Sequence, residues 1–144
     1  MGKSFEEWVK LYEAKSGDKH TVPAGAQTVY DSEKGYAQFM LSSDRSVLAI
    51  EETCGDGKFW YGWGIQFCRE HNIPRFCTTC TRNILPYLRG MGGKITKKEI
   101  QPERHNGYKI EGVTHEGLRF FCWPRWWDKE KQRNAYYVVV EVTK

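Results

Sequence analysis

The apolar positions of the chain change their spacing several times, and each change predicts a new element of secondary structure. The first set repeats at the spacing of a helix face and comprises Phe5, Trp8, Val9 and Tyr12. Ser4 and Glu7 stand at the positions of a capping box, in which each side chain satisfies a backbone N–H of the first turn. Gly17 is a suitable stop, so the pattern predicts an amphipathic helix of about three turns.

Short apolar runs with polar connections follow this helix and predict three strands. They are residues 27–30, 36–41 and 47–51. After Gly57 the large apolar residues return to helical spacing and spread around the helix, which predicts a second helix buried on most of its surface. This helix is expected to begin near Lys58 and to end near Asn72, because Pro74 cannot continue it.

The second half of the chain predicts one more helix among further strands. The segment "RFCTTC" is typical of a short buried strand, and "TRNILPYLRGMGGK" predicts a helix that its glycines end. Two to four strands follow, and the best candidates are residues 108–113, 118–123 and 136–142. A strand–helix–strand unit at the centre predicts one parallel crossover inside a mixed, mainly antiparallel sheet. The order of elements indicates an α/β domain of the α+β type.

Composition and charge limit the number of domains, the cellular location and the partners that this chain is expected to have. A chain of 144 residues is long enough for one domain with its own core. Its apolar runs fall short of the ~18 residues of a membrane helix, and "MGKSFEEWVK" lacks the apolar core of a signal peptide. Five cysteines are an odd count, which favours reduced thiols and a cytoplasmic location. The net charge of +4 permits a partner that carries phosphate groups without requiring one.

The segment "CGDGKF", residues 54–59, joins the third predicted strand to the second predicted helix. The first N–H groups of a helix have no partner inside it, and the helix dipole favours an anion beside them. Gly55 and Gly57 let a backbone approach such an anion closely, and Lys58 adds a positive charge. These residues alone leave two interpretations open, an ordinary connection and a loop that holds a phosphate.

The stretch from "SVLAIEETCGDG" to "RNILPYLRGMGGKI", residues 46–95, resembles the core of the GNAT superfamily of acyl-coenzyme A-dependent N-acetyltransferases. The matching features are a strand, the turn at residues 52–57, a helix ending at "EHNI", the strand "RFCTTC" and a helix closing on "LRGMGGKI". The resemblance implies a single GNAT-like domain over residues 1–144, with helices on both faces of its sheet. It also implies that the amides of the turn hold the pyrophosphate of acetyl-CoA. The residues that it places at the cofactor are Cys54, Gly55, Asp56, Gly57, Lys58 and Asn83.

The same resemblance implies an amine acceptor, a small molecule or a protein, that attacks the thioester directly. This reaction needs a base for the ammonium and a proton donor for the departing thiolate. Glu51 and Glu52 lie where the family often places its base, and strand alternation points them to opposite faces. Glu52 is the favoured base, and a solvated strand-end carboxylate is the alternative. The usual tyrosine of the family would fall at Leu88, so Tyr87, one residue earlier, is the candidate donor, and an aromatic residue at the edge of the core is the alternative.

The cysteines offer a rival interpretation, a zinc-stabilised domain. Cys68, His71, Cys77 and Cys80 have the ligand types of a tetrahedral zinc site. The five residues between His71 and Cys77 are fewer than the roughly twelve that usually separate zinc ligand pairs. Buried, metal-free thiols are the alternative, and we assign no metal ligand. Cys54, near a helix N-terminus, is the thiol whose pKa we expect to be lowered.

The segment "RFFCWPRWWDKEKQRNAYY", residues 119–137, mixes aromatic and basic side chains. Its five basic residues are Arg119, Arg125, Lys129, Lys131 and Arg133. This mixture suits a non-catalytic module that binds nucleic acid or protein, by phosphate contacts and ring stacking. The alternative, favoured because Asp128 and Glu130 interrupt the charge, is a hairpin with a solvated tip at "DKEKQRN". In a GNAT-like domain, Trp123, Trp126 and Trp127 would border the acceptor site.

Overall fold

The computed structural model describes residues 2–142 of the chain, which contain three α-helices, one 3-10 helix and eight β-strands. The helices are α1 (Phe5–Ser16), α2 (Gly57–Glu70) and α3 (Ile84–Gly90), and the 3-10 helix covers Pro102–Arg104. The strands are β1 (Gln27–Asp31), β2 (Gly35–Leu41), β3 (Val47–Gly55), β4 (Arg75–Cys80), β5 (Lys94–Gln101), β6 (Gly107–Val113), β7 (Arg119–Asp128) and β8 (Arg133–Glu141).

The chain divides into two compact units, Met1–Ile73 and Pro74–Lys144. Every strand pairing inside either unit is antiparallel. The mixed α/β class with mainly antiparallel strands is therefore confirmed. The predicted parallel crossover leads from one unit to the other and stays a prediction, as does the single domain. Within residues 2–142, the helices all lack the length and the apolar composition that crossing a membrane requires.

Helix α1 begins and ends where the sequence predicts. The Ser4 hydroxyl accepts a hydrogen bond from the Glu7 N–H at 3.1 Å, and the Ser4 N–H donates to the Glu7 carboxylate at 3.0 Å. Gly17 ends the helix in the left-handed region, with φ at 77°. Trp8 is its buried residue and packs with Tyr36 and Cys54. The apolar stripe of α1 thus covers one face of β2 and β3.

Strand β3 is longer than predicted and forms a meander with β1 and β2. The sequence places its end near Glu51, whereas β3 runs to Gly55. Its last residues pair with the start of β2, where Tyr36 faces Cys54 and Gly35 faces Gly55. This pairing supplies backbone hydrogen bonds that a local pattern of polar residues does not reveal. Most of the residues expected in a loop therefore lie in a strand.

Helix α2 is buried on one side only, so the prediction of burial on most of its surface is wrong. Its buried residues are Trp60, Gly64, Ile65 and Cys68. Phe59 is 37% exposed, and the Trp63 ring stacks on Phe67 with centroids 5.3 Å apart. Aromatic residues one turn apart shield one another along the helix, so they do not all need a protein core.

The second unit is a five-stranded antiparallel sheet in the order β4-β8-β7-β6-β5. One face is its core, with buried residues that include Phe76, Ile110, Phe120, Cys122, Val138 and Val140. Strand β7 extends past its predicted end near Trp123 to Asp128, because a β-bulge between Pro124 and Trp126 absorbs the proline. Four strands follow α3, within the predicted range of two to four, but β5 is not among the three named candidates, since "KITKKEIQ" is mostly exposed and has no apolar face.

Candidate active site

A buried carboxylate, Glu52 on β3, is the centre of a polar cluster in the first unit. Glu52 is 8% exposed. The Tyr36 hydroxyl donates a hydrogen bond to Glu52 Oε2 at 2.6 Å, and His20 Nδ1 contacts the same oxygen. A carboxylate is costly to bury unless it is paired and hydrogen-bonded. We call Glu52, His20 and Tyr36 the Glu52 cluster.

The register of β2 and β3 sets the direction of the Glu52 side chain. Glu52 faces Gln38 across the two strands, and Tyr36 faces Cys54 two residues along. Cross-strand partners and alternate residues share a face, so all four side chains point to the side on which α1 packs. The favoured base is therefore a buried group, and the alternative of a solvated carboxylate is wrong for Glu52.

Glu51 is the extra residue of a β-bulge. Ile50 faces Phe39 and Glu52 faces Gln38, which leaves Glu51 without an opposite residue in the register. Glu51 is exposed. A bulge re-aims the neighbouring side chains of a strand. The two carboxylates thus differ in surroundings, and only Glu52 lies in a cluster of titratable side chains.

The segment after α1 carries His20 to Glu52 and is held at two points. The His20 N–H donates to the Glu13 carboxylate at 2.9 Å, and the Thr21 carbonyl accepts from Gln38 Nε2 at 2.6 Å. The ring of Tyr36 lies edge-on to the His20 ring, with centroids 5.6 Å apart. These contacts hold the backbone on both sides of the imidazole and place the Tyr36 ring against it. Its side chain is 15% exposed, twice as much as that of Glu52 at 7%.

The buried charge of Glu52 acts on the groups around it. Burial raises the pKa of Tyr36, and its hydrogen bond to Glu52 raises it further. Burial and the Glu52 charge also raise the pKa of Tyr12. Burial is the main cause that raises the pKa of Cys54. The expected lowering of the Cys54 pKa is therefore wrong, because Cys54 lies in β3 under α1 and its thiol donates to the Trp8 carbonyl at 3.5 Å.

The two glycines before α2 have different roles. Gly55 has φ at 102°, and a Cβ there would lie 2.2 Å from the Lys34 carbonyl oxygen. Its lack of a side chain is thus explained by the close pairing of β2 and β3. A Cβ on Gly57 would meet no atom within 4 Å. Of these two glycines, Gly57 is the one with open space beside it.

Asp56 caps α2 between these glycines. Asp56 Oδ1 accepts a hydrogen bond from the Phe59 N–H at 3.1 Å, and Lys34 Nζ lies 3.6 Å from Asp56 Oδ2. The Phe59 bond is the main cause that lowers the pKa of Asp56. The carboxylate therefore stands at the helix end that would attract an anion. Lys34 and the exposed Lys58 supply positive charge around it.

The other residues expected at the site lie in the second unit. Asn83 is the N-cap of α3 and makes no cap hydrogen bond with its side chain. Tyr87 is half-buried on α3, and Leu88 is buried. The cofactor contact of Asn83 and the proton-donor role of Tyr87 stay predictions of the resemblance.

The cysteines of the zinc hypothesis lie in α2 and β4. Across residues 2–142, the structure contains no group of three or more His, Cys, Asp or Glu side chains suited to a metal ion. The Cys77 thiol lies 3.2 Å from the Tyr137 hydroxyl, and the Cys80 thiol donates to the Arg82 carbonyl at 3.5 Å. Both are buried residues of β4.

Two residues of the Glu52 cluster, His20 and Tyr36, were missed from the sequence. His20 lies in an irregular polar segment, and Tyr36 has the pattern of any buried strand residue. The usable signal was the alternation of β2, which puts Tyr36 and Gln38 on one face.

No protein-family model, curated protein or solved structure matches this chain.

Proposed function

We propose that this chain is an acyl-coenzyme A-dependent N-acyltransferase with a GNAT-like fold, which transfers an acetyl group to an amine. The observation that carries the proposal is the buried Glu52 carboxylate in contact with His20, at a position where the resembled family often places its base. Buried titratable groups with a specific charge partner are enriched at catalytic sites. The parallel crossover and the helices on both faces belong to the same proposal.

His20 is the group that accepts the proton of the substrate ammonium in this proposal. Glu52 is too deeply buried to meet a substrate directly, whereas the imidazole is partly exposed. With its Nδ1–H donated to Glu52, His20 keeps Nε2 as the ring nitrogen that can take a proton. Glu52 then positions the ring and stabilises the imidazolium that forms. Tyr36 holds the carboxylate by its 2.6 Å hydrogen bond.

The reaction needs one proton acceptor and one activated acyl group. The amine gives its proton to His20 Nε2, and its lone pair forms a bond to the thioester carbonyl carbon of acetyl-CoA. The carbon–sulfur bond then breaks with its electron pair on sulfur, and the thiolate takes up the proton that the nitrogen loses as it becomes an amide. The products are the acetylated amine and coenzyme A.

The cofactor is proposed to meet the chain at residues 56–58. Gly57 has open space beside it, and Lys34 and Lys58 carry the charge that a pyrophosphate requires. Asp56 carries charge of the wrong sign and already accepts from the Phe59 N–H. The charge of Asp56 at the helix end is therefore expected to weaken binding of the pyrophosphate.

A thiol-release assay with acetyl-CoA tests the proposal. The full chain is mixed with a panel of primary amines, polyamines and lysine-containing peptides, and coenzyme A is measured as it forms. We expect amine-dependent release that His20→Gln lowers by about a hundredfold or more, as loss of a general base does. Glu52→Gln should lower kcat with little change in the KM for acetyl-CoA, since Glu52 acts through His20.

Glu51→Gln is the matched control, because it removes the neighbouring carboxylate from an exposed position. It should retain the activity of the unchanged chain. Equal losses in Glu51→Gln and Glu52→Gln, or a His20→Gln variant with full activity, would refute the role of the Glu52 cluster.

A further inference from the structure

One exposed face of the second unit carries a continuous row of rings and a guanidinium. The Trp123 ring stacks on Tyr137 with centroids 5.4 Å apart. The Arg125 guanidinium lies 5.1 Å from the centroid of Tyr137 and 5.3 Å from that of Trp126. We call Trp123, Tyr137, Arg125 and Trp126 the stacked row. Trp123 is 39% and Trp126 46% exposed, so the row ends in two accessible indole rings.

The β7–β8 hairpin builds this row through its register and its bulge. Trp123 faces Tyr137 across the two strands, which places both rings on the face opposite the core of the unit. The bulge between Pro124 and Trp126 adds one residue, and Arg125 and Trp126 are both exposed as a result. The row is therefore set by backbone pairing and does not depend on a mobile loop.

Two arginines of this face donate hydrogen bonds to neutral groups. Arg125 Nη1 donates to the Thr79 hydroxyl at 2.6 Å, and Arg133 Nε donates to the Thr81 carbonyl at 2.9 Å. These bonds orient the guanidinium groups without cancelling their charge, and each keeps further N–H donors. Asp128, which lies opposite Arg133 in the register of β7 and β8, accepts from the N–H groups of Glu130 and Lys131 in the hairpin turn.

We infer that the stacked row binds single-stranded nucleic acid. Exposed indole rings stack on bases of any sequence, and Arg125 and Arg133 provide charge for the phosphates between them. In a duplex the base faces are covered by their neighbours, so the rings favour single strands. This inference concerns the second unit and does not rest on the proposed acyl transfer.

Fluorescence anisotropy with the full chain tests the inference. The probes are a labelled oligothymidylate of about 12 nucleotides and a blunt duplex of the same length. We expect the single strand to bind about tenfold more tightly than the duplex. Two phosphate contacts predict a slope of log K against log salt of about −1.4 for the single strand, and Arg125→Ala should reduce it by about 0.7.

Variants of the row separate stacking from simple charge attraction. Trp123→Ala and Trp126→Ala should each weaken binding about fivefold or more, whereas Trp123→Phe, which keeps a ring, should weaken it less. Lys131→Ala, in the exposed hairpin turn, is the control and should have a smaller effect than either tryptophan variant. Thermal unfolding of each variant checks that the protein remains folded.

Three results would overturn the inference. The first is equal affinity for the duplex and the single strand. The second is a sulfated polysaccharide that displaces the labelled single strand as well as an unlabelled single strand does. The third is a folded tryptophan variant that binds as well as the unchanged chain. Acetyl-CoA binding is titrated separately on the same variants. A failure of nucleic-acid binding is thereby distinguished from a failure of the proposed enzyme activity.

Discussion

At the scale of residues, the Glu52 cluster joins three parts of the first unit that lie far apart in sequence. Glu52 accepts a hydrogen bond from Tyr36, which is fully buried, and contacts His20 from the segment after α1. Removing one partner of a buried hydrogen bond leaves the other without an acceptor. The cluster therefore stabilises the first unit and also contains the proposed proton acceptor. For this reason, the stability of its variants must be measured as well as their activity.

We predict that Glu52→Ala lowers the free energy of unfolding by about 2 kcal/mol, because the Tyr36 hydroxyl then lies buried without its acceptor. Glu52→Gln keeps an acceptor oxygen and should cost less. Urea unfolding followed by tryptophan fluorescence measures both. The control, Glu51→Ala, changes an exposed residue and should stay within about 0.5 kcal/mol of the unchanged chain. Equal losses at positions 51 and 52 would contradict the buried role of Glu52.

At the scale of elements, the junction of β3 and α2 has both a structural and a proposed functional role. Gly55 closes the pairing with β2, Asp56 caps α2, and Gly57 stands beside open space. A variant at each position therefore tests a different property.

Alanine at the two glycines is expected to have opposite effects on stability. Gly55→Ala places a Cβ 2.2 Å from a backbone oxygen at a φ of 102°, so it should lower the free energy of unfolding by more than about 2 kcal/mol. Gly57→Ala meets no atom within 4 Å and should raise it by up to about 1 kcal/mol. Thermal unfolding compares the two variants, and a destabilised Gly57→Ala would contradict the open space beside Gly57.

Asp56→Asn tests the charge at the helix end without removing the cap. Asparagine caps a helix about as well as aspartate, so stability should change by only a few tenths of a kcal/mol. Loss of a negative charge near a bound pyrophosphate should tighten acetyl-CoA binding about fivefold, as a charge at about 4 Å in water predicts. Calorimetric titration of both proteins gives the ratio, and an unchanged or weaker affinity would place the pyrophosphate elsewhere.

The sequence predicted elements that local signals define and missed those that pairing defines. The capping box and Gly17 specify α1, and the run "RFCTTC" coincides with β4. Strand β5 has no apolar face and exists through its pairing with β6. The same limit applies to the site, since Glu52 was predicted from its place on a strand, whereas His20 reaches it through tertiary contacts.

At the scale of the whole molecule, buried thiols and phenols make stability depend on alkaline pH. Burial raises the pKa of Cys122 from 9.0 to about 12. The pKa is also raised, mainly by burial, for Tyr12, Tyr36, Cys54, Cys80 and Tyr136. These groups lie in both units, so each unit should respond.

We predict that the free energy of unfolding falls as pH rises above about 9. The unfolded chain loses the Cys122 proton near 9.0, whereas the folded chain keeps it until about 12, so the unfolded state binds fewer protons in between. Each such group contributes a slope of about 1.4 kcal/mol per pH unit. Urea unfolding at several pH values measures the slope. Cys122→Ala should reduce the slope by the contribution of one group, about 1.4 kcal/mol per pH unit. Stability that is constant or rises over this range would contradict the burial of these groups.

Isothermal titration of the full chain with acetyl-CoA tests the central claim most directly. The proposed acyltransferase should bind acetyl-CoA saturably, with a Kd between about 1 µM and 1 mM. Gly57→Ala, which adds a methyl group at the helix end where the pyrophosphate is proposed to approach, should weaken this binding. Absence of binding heat at about millimolar acetyl-CoA, at two temperatures, would contradict the acyltransferase function and leave the fold unchanged.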